Sequence, residues 1–356
     1  MAVFRSKAFK ASFDPAFDDL DLAEARDELA QGRWEPARDL LEDTRRNWDR
    51  RAHRIKVLAD TTAASAWLER WLALDPHNPD ALTLQAHVEV VRLVRARAQV
   101  RDTGTNKTTQ DVEDLCRRAA SLSPKDPVPW ISLVTLARAQ GVNRDEFWAR
   151  WHGMRERDPW NREGHHQTLI YLFAAWHGSH AEMYDFAYWL AGEAPAGSPL
   201  AVLPLVAHAE SYRAHSADKR ATMRAGLDMM WTEDQVGLDL DRILERWFRQ
   251  PGRPHAQAKA DLNYLAHALI YADRHSDARP VLQAIGSHVT RVPWAYTGDP
   301  ESSFTYWRHR LLGTRAERVY VEGGEDRHVR NPPVTAREVR QTRNVRTSRT
   351  GEEPSS

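Results

Sequence analysis

One phrase recurs along this chain: an acidic or small residue, a proline, a short polar stretch, and then the start of an apolar helix. It reads Asp75-Pro76-His77-Asn78-Pro79, then Ser123-Pro124-Lys125-Asp126-Pro127, then Asp158-Pro159-Trp160-Asn161, and finally Ala194-Pro195-Ala196-Gly197-Ser198-Pro199. The leading prolines are 48, 35 and 36 residues apart. A period in this range marks a helical array, because one helix pair cannot bury its apolar face alone and stacks on the next. The phrase therefore predicts an all-α fold.

Hairpins fill the spaces between the phrases. From Asp21 to Asp43, Ala23, Leu29, Trp34, Ala37, Leu40 and Leu41 fall at helical spacing, and Gly32 supplies the break between two helices. Leu262 to Leu282 reads as a later hairpin with its turn at Arg274-His275-Ser276-Asp277, and Glu301 to Leu312 as the last helix. Arg101 to Asp111 is a polar loop that accounts for the 48-residue gap. Residues 217–254 form an irregular insertion, read as two helices of which the second spans Asp241 to Gln250. The expected organisation is an N-terminal arm at 1–18, a repeat domain at 19–313 and a disordered Arg-rich tail at 314–356, where apolar periodicity ends. The arm carries Phe4, Phe9, Phe13 and Phe17 and is expected to fold back onto its own first helix.

The segment Leu29-Ala30-Gln31-Gly32-Arg33-Trp34-Glu35-Pro36-Ala37-Arg38 resembles the turn of a tetratricopeptide repeat. Trp67 to Leu74 followed by Asp75-Pro76-His77-Asn78-Pro79-Asp80-Ala81-Leu82 resembles a repeat boundary of that family. Leu115 to Pro124 followed by Pro127-Val128-Pro129-Trp130 matches best, with Trp130 six residues after Pro124 at the family's signature Trp position and Gly141 at the turn between helices. After Pro159 the sixth residue is His165, a departure from the pattern. The resemblance covers about residues 20 to 310. It implies a right-handed α-solenoid of five or six degenerate hairpins, and it is not specific for any activity. The whole chain also resembles repeat proteins of high-GC Gram-positive bacteria.

Formal net charge is zero, so no bulk attraction draws the chain to nucleic acid or an anionic membrane. The longest apolar stretch, Leu200 to Ala209, is broken by Pro204 and is too short to span a bilayer. The N-terminal residues have no apolar run of signal-peptide length, and Cys116 is the single cysteine. These features place the protein in the cytoplasm. Of 50 basic residues, 43 are arginine; the spread of those arginines along the chain, balanced by acids, reads as composition rather than as an anion site.

No phosphate-cradling Gly-rich loop, His-Glu-x-x-His pair or Gly-x-Ser-x-Gly elbow is present, so the sequence assigns no catalytic, cofactor-binding or metal residue. A site assembled from distant helices stays open. His165 and His166, His208 with Glu210, and His267 lie on three helices, where they either converge as ligands or acid–base groups or pack as core histidines. Tyr171 and Phe173 belong to an aromatic middle third that either forms core or rims a peptide groove; Phe147, Trp151 and Met154 follow a packing stripe. In the tail, Arg337, Arg340, Arg343, Arg346 and Arg349 recur every three residues, either as a solvated strip or as a phosphate-binding one.

The leading expectation is a non-catalytic interaction module that binds a peptide or a partner's helix in a concave groove, with no cofactor and no membrane contact. The alternatives are an enzyme or a metal- or small-molecule-binding protein using the histidines, and nucleic-acid binding through the tail alone.

Overall fold

The computed structural model describes residues 9–61, 67–99, 107–217, 229–252 and 254–313. The tail arginines Arg337, Arg340, Arg343, Arg346 and Arg349 lie outside these residues, as do Phe4 and most of the polar loop after Arg101. Among the described residues the protein is all-helical, with 16 α-helices and no strand. None of these helices is long and apolar enough to cross a membrane.

The chain divides into two compact units. One comprises residues 15–203 and returns for residues 251–257; the other comprises residues up to 14, 204–250 and from 258 on. Each is discontinuous in sequence.

The first unit holds α1 (Leu20–Ala30), α2 (Glu35–Thr44), α3 (Trp48–Thr61), α4 (Trp67–Leu74), α5 (Pro79–Gln99), α6 (Thr109–Leu122), α7 (Val128–Gln140), α8 (Arg144–Arg155), α9 (Arg162–Tyr171) and α10 (His180–Glu193). α3 packs on α5, α5 on α7 and α7 on α9, so alternate helices form a layer of their own. α6 lies against α5 and α7, and α8 against α7 and α9. The core between α5, α6 and α7 is built from Ala86, Val90, Val112, Cys116, Leu133 and Leu136.

The recurring proline phrase is a capping device. The first backbone N–H groups of a helix have no intrahelical acceptor, and a polar side chain just before the helix supplies one. Asn78 Oδ1 accepts from Ala81 N at 3.0 Å, Asp126 Oδ1 from Val128 N at 2.8 Å, Asn161 Oδ1 from Gly164 N at 3.0 Å, and Ser198 Oγ from Leu200 N at 3.3 Å. Every phrase thus supplies a side-chain acceptor at a helix start, although at α7 the N-cap residue is Pro127 and Asp126 acts from one residue before it. Gly32 (φ 84°) and Gly141 (φ 65°) close their turns in the left-handed region that glycine adopts without strain.

Arginine ties these turns together. Arg51 on α3 is 4% exposed and bridges Asp80 at 2.6 Å, just after one phrase, and Asp126 at 2.7 Å, within the next. Arg118 Nη2 donates to the Pro76 carbonyl at 3.3 Å, and Arg157 Nε to the Pro124 carbonyl at 2.8 Å. Arg54 forks onto Asp19 at 2.9 and 3.0 Å and also reaches Thr44. Arg150, also buried, joins Glu113, Glu146 and Gln140. Several arginines that the composition reads as scattered are therefore inter-helix ties.

The second unit contains α11 (Leu203–Ala217, from Pro204 on), α12 (Asp234–Ile243), α13 (Ala258–Tyr271), α14 (His275–Ile285), α15 (Trp294–Thr297) and α16 (Pro300–Leu312). α13 and α14 form the expected late hairpin, although α14 already begins at His275, inside the expected turn. Within the insertion, α12 starts seven residues before the expected Asp241, because the apolar positions Val236, Leu240 and Ile243 are already buried; a π-turn over Leu244–Phe248 follows. Of the arm, Phe9 lies near Phe304 and His309 of the last helix in this unit, and the Ser12 N–H donates to the Ser287 carbonyl at 2.7 Å. Phe304 is fully buried and offers the aromatic surface that Phe9 covers.

Two substitutions test this packing. A Cβ at Gly153 would sit 2.1 Å from the Trp130 ring, so Gly153→Ala is expected to destabilise by about 1–3 kcal/mol, read as a lowered urea midpoint. Arg51→Ala strands two carboxylates, one fully buried and one largely so, and is expected to cost about 3–5 kcal/mol in the same measurement; a loss under about 1 kcal/mol would show that the two phrases do not depend on this arginine.

Candidate functional site

The layer made by α3, α5, α7 and α9 carries a polar cluster that an apolar interior would not need. Its centre is Glu163 on α9, 2% exposed. Lys56 Nζ on α3 donates to Glu163 Oε2 at 3.0 Å, Gln257 Nε2 at 2.8 Å, and Gln167 Nε2 to Oε1 at 2.6 Å, while Arg162 Nη1 lies 3.4 Å away. Arg162 also donates to Gln257 Oε1 at 3.1 Å. Burial pushes the Glu163 carboxyl up, but the Lys56 and Arg162 cations and the Gln167 amide overcome it and hold the group well below its usual range.

Histidines surround this hub. His53 on α3 is 2% exposed, stacks on Phe17 with ring centroids 5.6 Å apart, and has no hydrogen-bond partner for either ring nitrogen among the described residues. His87 on α5 meets Ser132 Oγ at 2.9 Å. His166 on α9 is half-buried, and its Nδ1 has no partner among the described residues. Burial pushes His53 down to about 3, His87 to about 4 and His166 well below the usual imidazole value; Lys56 reinforces it at His53 and Arg162 at His166, whereas Asp60 and Glu163 oppose it at His87. All three are neutral at physiological pH. Arg138 on α7 completes the group: burial lowers its guanidinium to about 10, opposed by Glu163, and no carboxylate lies within ion-pair distance of it among the described residues. Its guanidinium instead lies over Trp176, 5.4 Å from the ring centroid.

The other sequence candidates have settled partners. His165 is fully buried; Trp151 Nε1–H donates to its Nδ1 at 3.2 Å, so its Nε2–H donates to the Pro159 carbonyl at 2.9 Å. It fills the position six residues after the proline as a hydrogen-bonded core ring, at the place where Trp130 packs against Gly153 one phrase earlier. Tyr171 is 1% exposed, stacked on Phe147 at 3.6 Å and near His177 at 4.9 Å, and Phe173 is buried beside it in the chain.

In the second unit, His208 Nε2 lies 2.9 Å from Asp239 Oδ2, Glu210 is forked by Arg213, with Nε at 2.7 Å from Oε2, and His267 Nε2 meets Thr297 Oγ1 at 3.1 Å. Thr297 Oγ1 donates to the Trp294 carbonyl, so His267 donates through Nε2 and presents a bare Nδ1 among Trp231, Trp294 and Tyr271. Burial holds His267 at about 3. Of the histidine set, His166 alone belongs to the Glu163 cluster. Among the described residues no group of three His, Cys, Asp or Glu side chains is placed to hold a metal ion. The Cys116 thiol is buried, and burial pushes it up to about 12, which removes it as a nucleophile near neutral pH.

Sequence reasoning missed His53, Lys56, His87, Arg138, Arg162 and Glu163. They sit on four helices far apart in sequence, and the only local signal is Arg162-Glu163 next to His165-His166 at the start of α9. No family model, curated protein or solved structure matches the chain.

The neutral histidines set a pH dependence. A histidine whose folded pKa lies below its unfolded value leaves the unfolded chain holding more protons, so stability rises with pH through the window between the two. Stability is therefore expected to be level above about pH 7 and to fall from about pH 6.5 towards 4, each such histidine adding a slope of about 1.4 kcal/mol per pH unit. Urea titrations across this range check it; His53→Phe, which removes two unpartnered nitrogens and keeps the stack on Phe17, should make the fall shallower.

Proposed function

We propose that the unit formed by residues 15–203 and 251–257 is a helical-repeat binding module of tetratricopeptide type, part of a right-handed solenoid of five or six hairpins. On this reading the protein is a cytoplasmic adaptor or regulator without chemistry of its own, and it receives a peptide or a partner's helix. The observation that carries the reading is the alternation of helices: α3, α5, α7 and α9 stack as one layer, and that layer presents Lys56, Arg138 and His166 together. Repeat arrays bind through such layers because side chains from successive repeats line one continuous face. The capped proline turns and the Gly141 turn support the family assignment, as does the equivalent placement of Trp130 and His165.

Selection from a displayed random-peptide library, followed by calorimetry, tests this. Selected peptides are expected to lose binding to Arg138→Glu and to keep it for Asp145→Arg, whose exposed side chain opens the neighbouring helix α8. Peptides that bind both variants equally would remove this layer as the binding face.

A further inference from the structure

A groove of about 420 Å³ opens among the turns of the first unit. Arg46 and Trp48 line it at the start of α3, Pro124 and Lys125 in the turn before α7, and Glu156 and Arg157 in the turn after α8. Its size lies within the range of small-molecule sites. Arg46 and Lys125 are exposed, and among the described residues neither has a carboxylate within ion-pair distance. Glu156 is the acid of the lining; it lies 3.8 Å from Arg157 Nη1 and is 77% exposed. The acids that follow Trp48, Lys125 and Arg157 in the chain are engaged elsewhere. Asp49 accepts from the Ala256 N–H at 2.6 Å, Asp126 pairs with Arg51 at 2.7 Å, and Asp158 accepts from Asn161 Nδ2 at 2.8 Å. Arg157 is fixed in place: its Nε donates to the Pro124 carbonyl at 2.8 Å, and its guanidinium lies over Trp130, 4.5 Å from the ring centroid. Trp48 is half-buried, and among the described residues no ring or cation covers its indole.

We propose that this groove binds one nucleoside monophosphate group, with the base stacked on Trp48 and the phosphate held by Arg46 and Lys125. Every base has a π-face, so an uncovered indole accepts one. A guanidinium and an ammonium without carboxylate partners give charge-assisted hydrogen bonds to phosphate oxygens. A peptide fits this wall less well, because its main chain needs hydrogen-bonding partners. Pro124 has no N–H, and its carbonyl is already taken by Arg157. A ligand held by stacking and charge needs neither. The groove shares no residue with the face of Lys56, Arg138 and His166, so this proposal and the binding-module reading fail or stand separately.

Calorimetry on the full chain with AMP, adenosine and inorganic phosphate tests the proposal. Saturable AMP binding is expected, with adenosine and phosphate each at least about tenfold weaker, since each keeps only one part of the contact. Arg46→Gln and Lys125→Gln should each weaken AMP about tenfold and leave adenosine unchanged. Trp48→Leu should weaken AMP and adenosine alike, again about tenfold. An unchanged urea midpoint checks that each variant folds, and the two exposed cations suffice if Trp48→Leu does not. An adenylate pentamer with a 5′ phosphate, titrated alongside AMP, tells a strand end from a free nucleotide as the source of the group. AMP binding no more tightly than phosphate, or binding the folded variants as it binds the unsubstituted chain, overturns the proposal. So does hexaglutamate binding as tightly as AMP, which would make the groove a site for an acidic peptide.

Discussion

The first unit depends on a buried guanidinium. Arg51 sits on α3 and draws in Asp80, at the start of α5, and Asp126, just before α7. One acid directly follows a proline phrase and the other lies within the next, so one side chain ties three stacked helices. Such a contact is specific because burial penalises every arrangement that leaves a charge unmet. Asp126 does double service: its second oxygen caps α7 through the Val128 N–H. The capping turn and the inter-helix tie are thus one structure, and neither residue tolerates a change in register.

Arg118 and Arg157 extend the pattern with carbonyl contacts to the Pro76 and Pro124 turns. A proline turn offers acceptors that no helix uses, and an arginine from later in the chain reaches them, Arg118 from α6 and Arg157 from the turn after α8. Lys56 and Arg162 differ from these ties, because they gather on the one buried carboxylate of Glu163 rather than on a proline turn.

The proline phrases, Gly32 and Gly141 made the helix starts and turns readable, since caps and left-handed glycines are local chemistry. The boundary of α12 was harder to place, because its buried positions are spaced through an irregular stretch without a capping side chain. The Glu163 cluster left almost no trace in the sequence. Its members come from α3, α5, α7, α9 and the returning segment at Gln257, and each alone looks like an ordinary helix-surface residue. Of the four histidines that stood out in the sequence, His165, His208 and His267 each have a hydrogen-bond partner, and His166 alone belongs to the cluster. Distant convergence is invisible to spacing, whereas a satisfied core histidine and a ligand-facing one share the same local context.

The return of residues 251–257 sets an order of assembly. Gln257 supplies an amide to Glu163 and oxygen contacts to Arg162 and Lys56, and the Ala256 N–H donates to Asp49 at 2.6 Å. A ribosome adding about 5–20 residues per second finishes Leu203 several seconds before it delivers these groups. Throughout that interval the nascent α9 holds its carboxylate with fewer donors than the finished protein provides. A fragment cut at residue 203 is fixed permanently in that half-built condition.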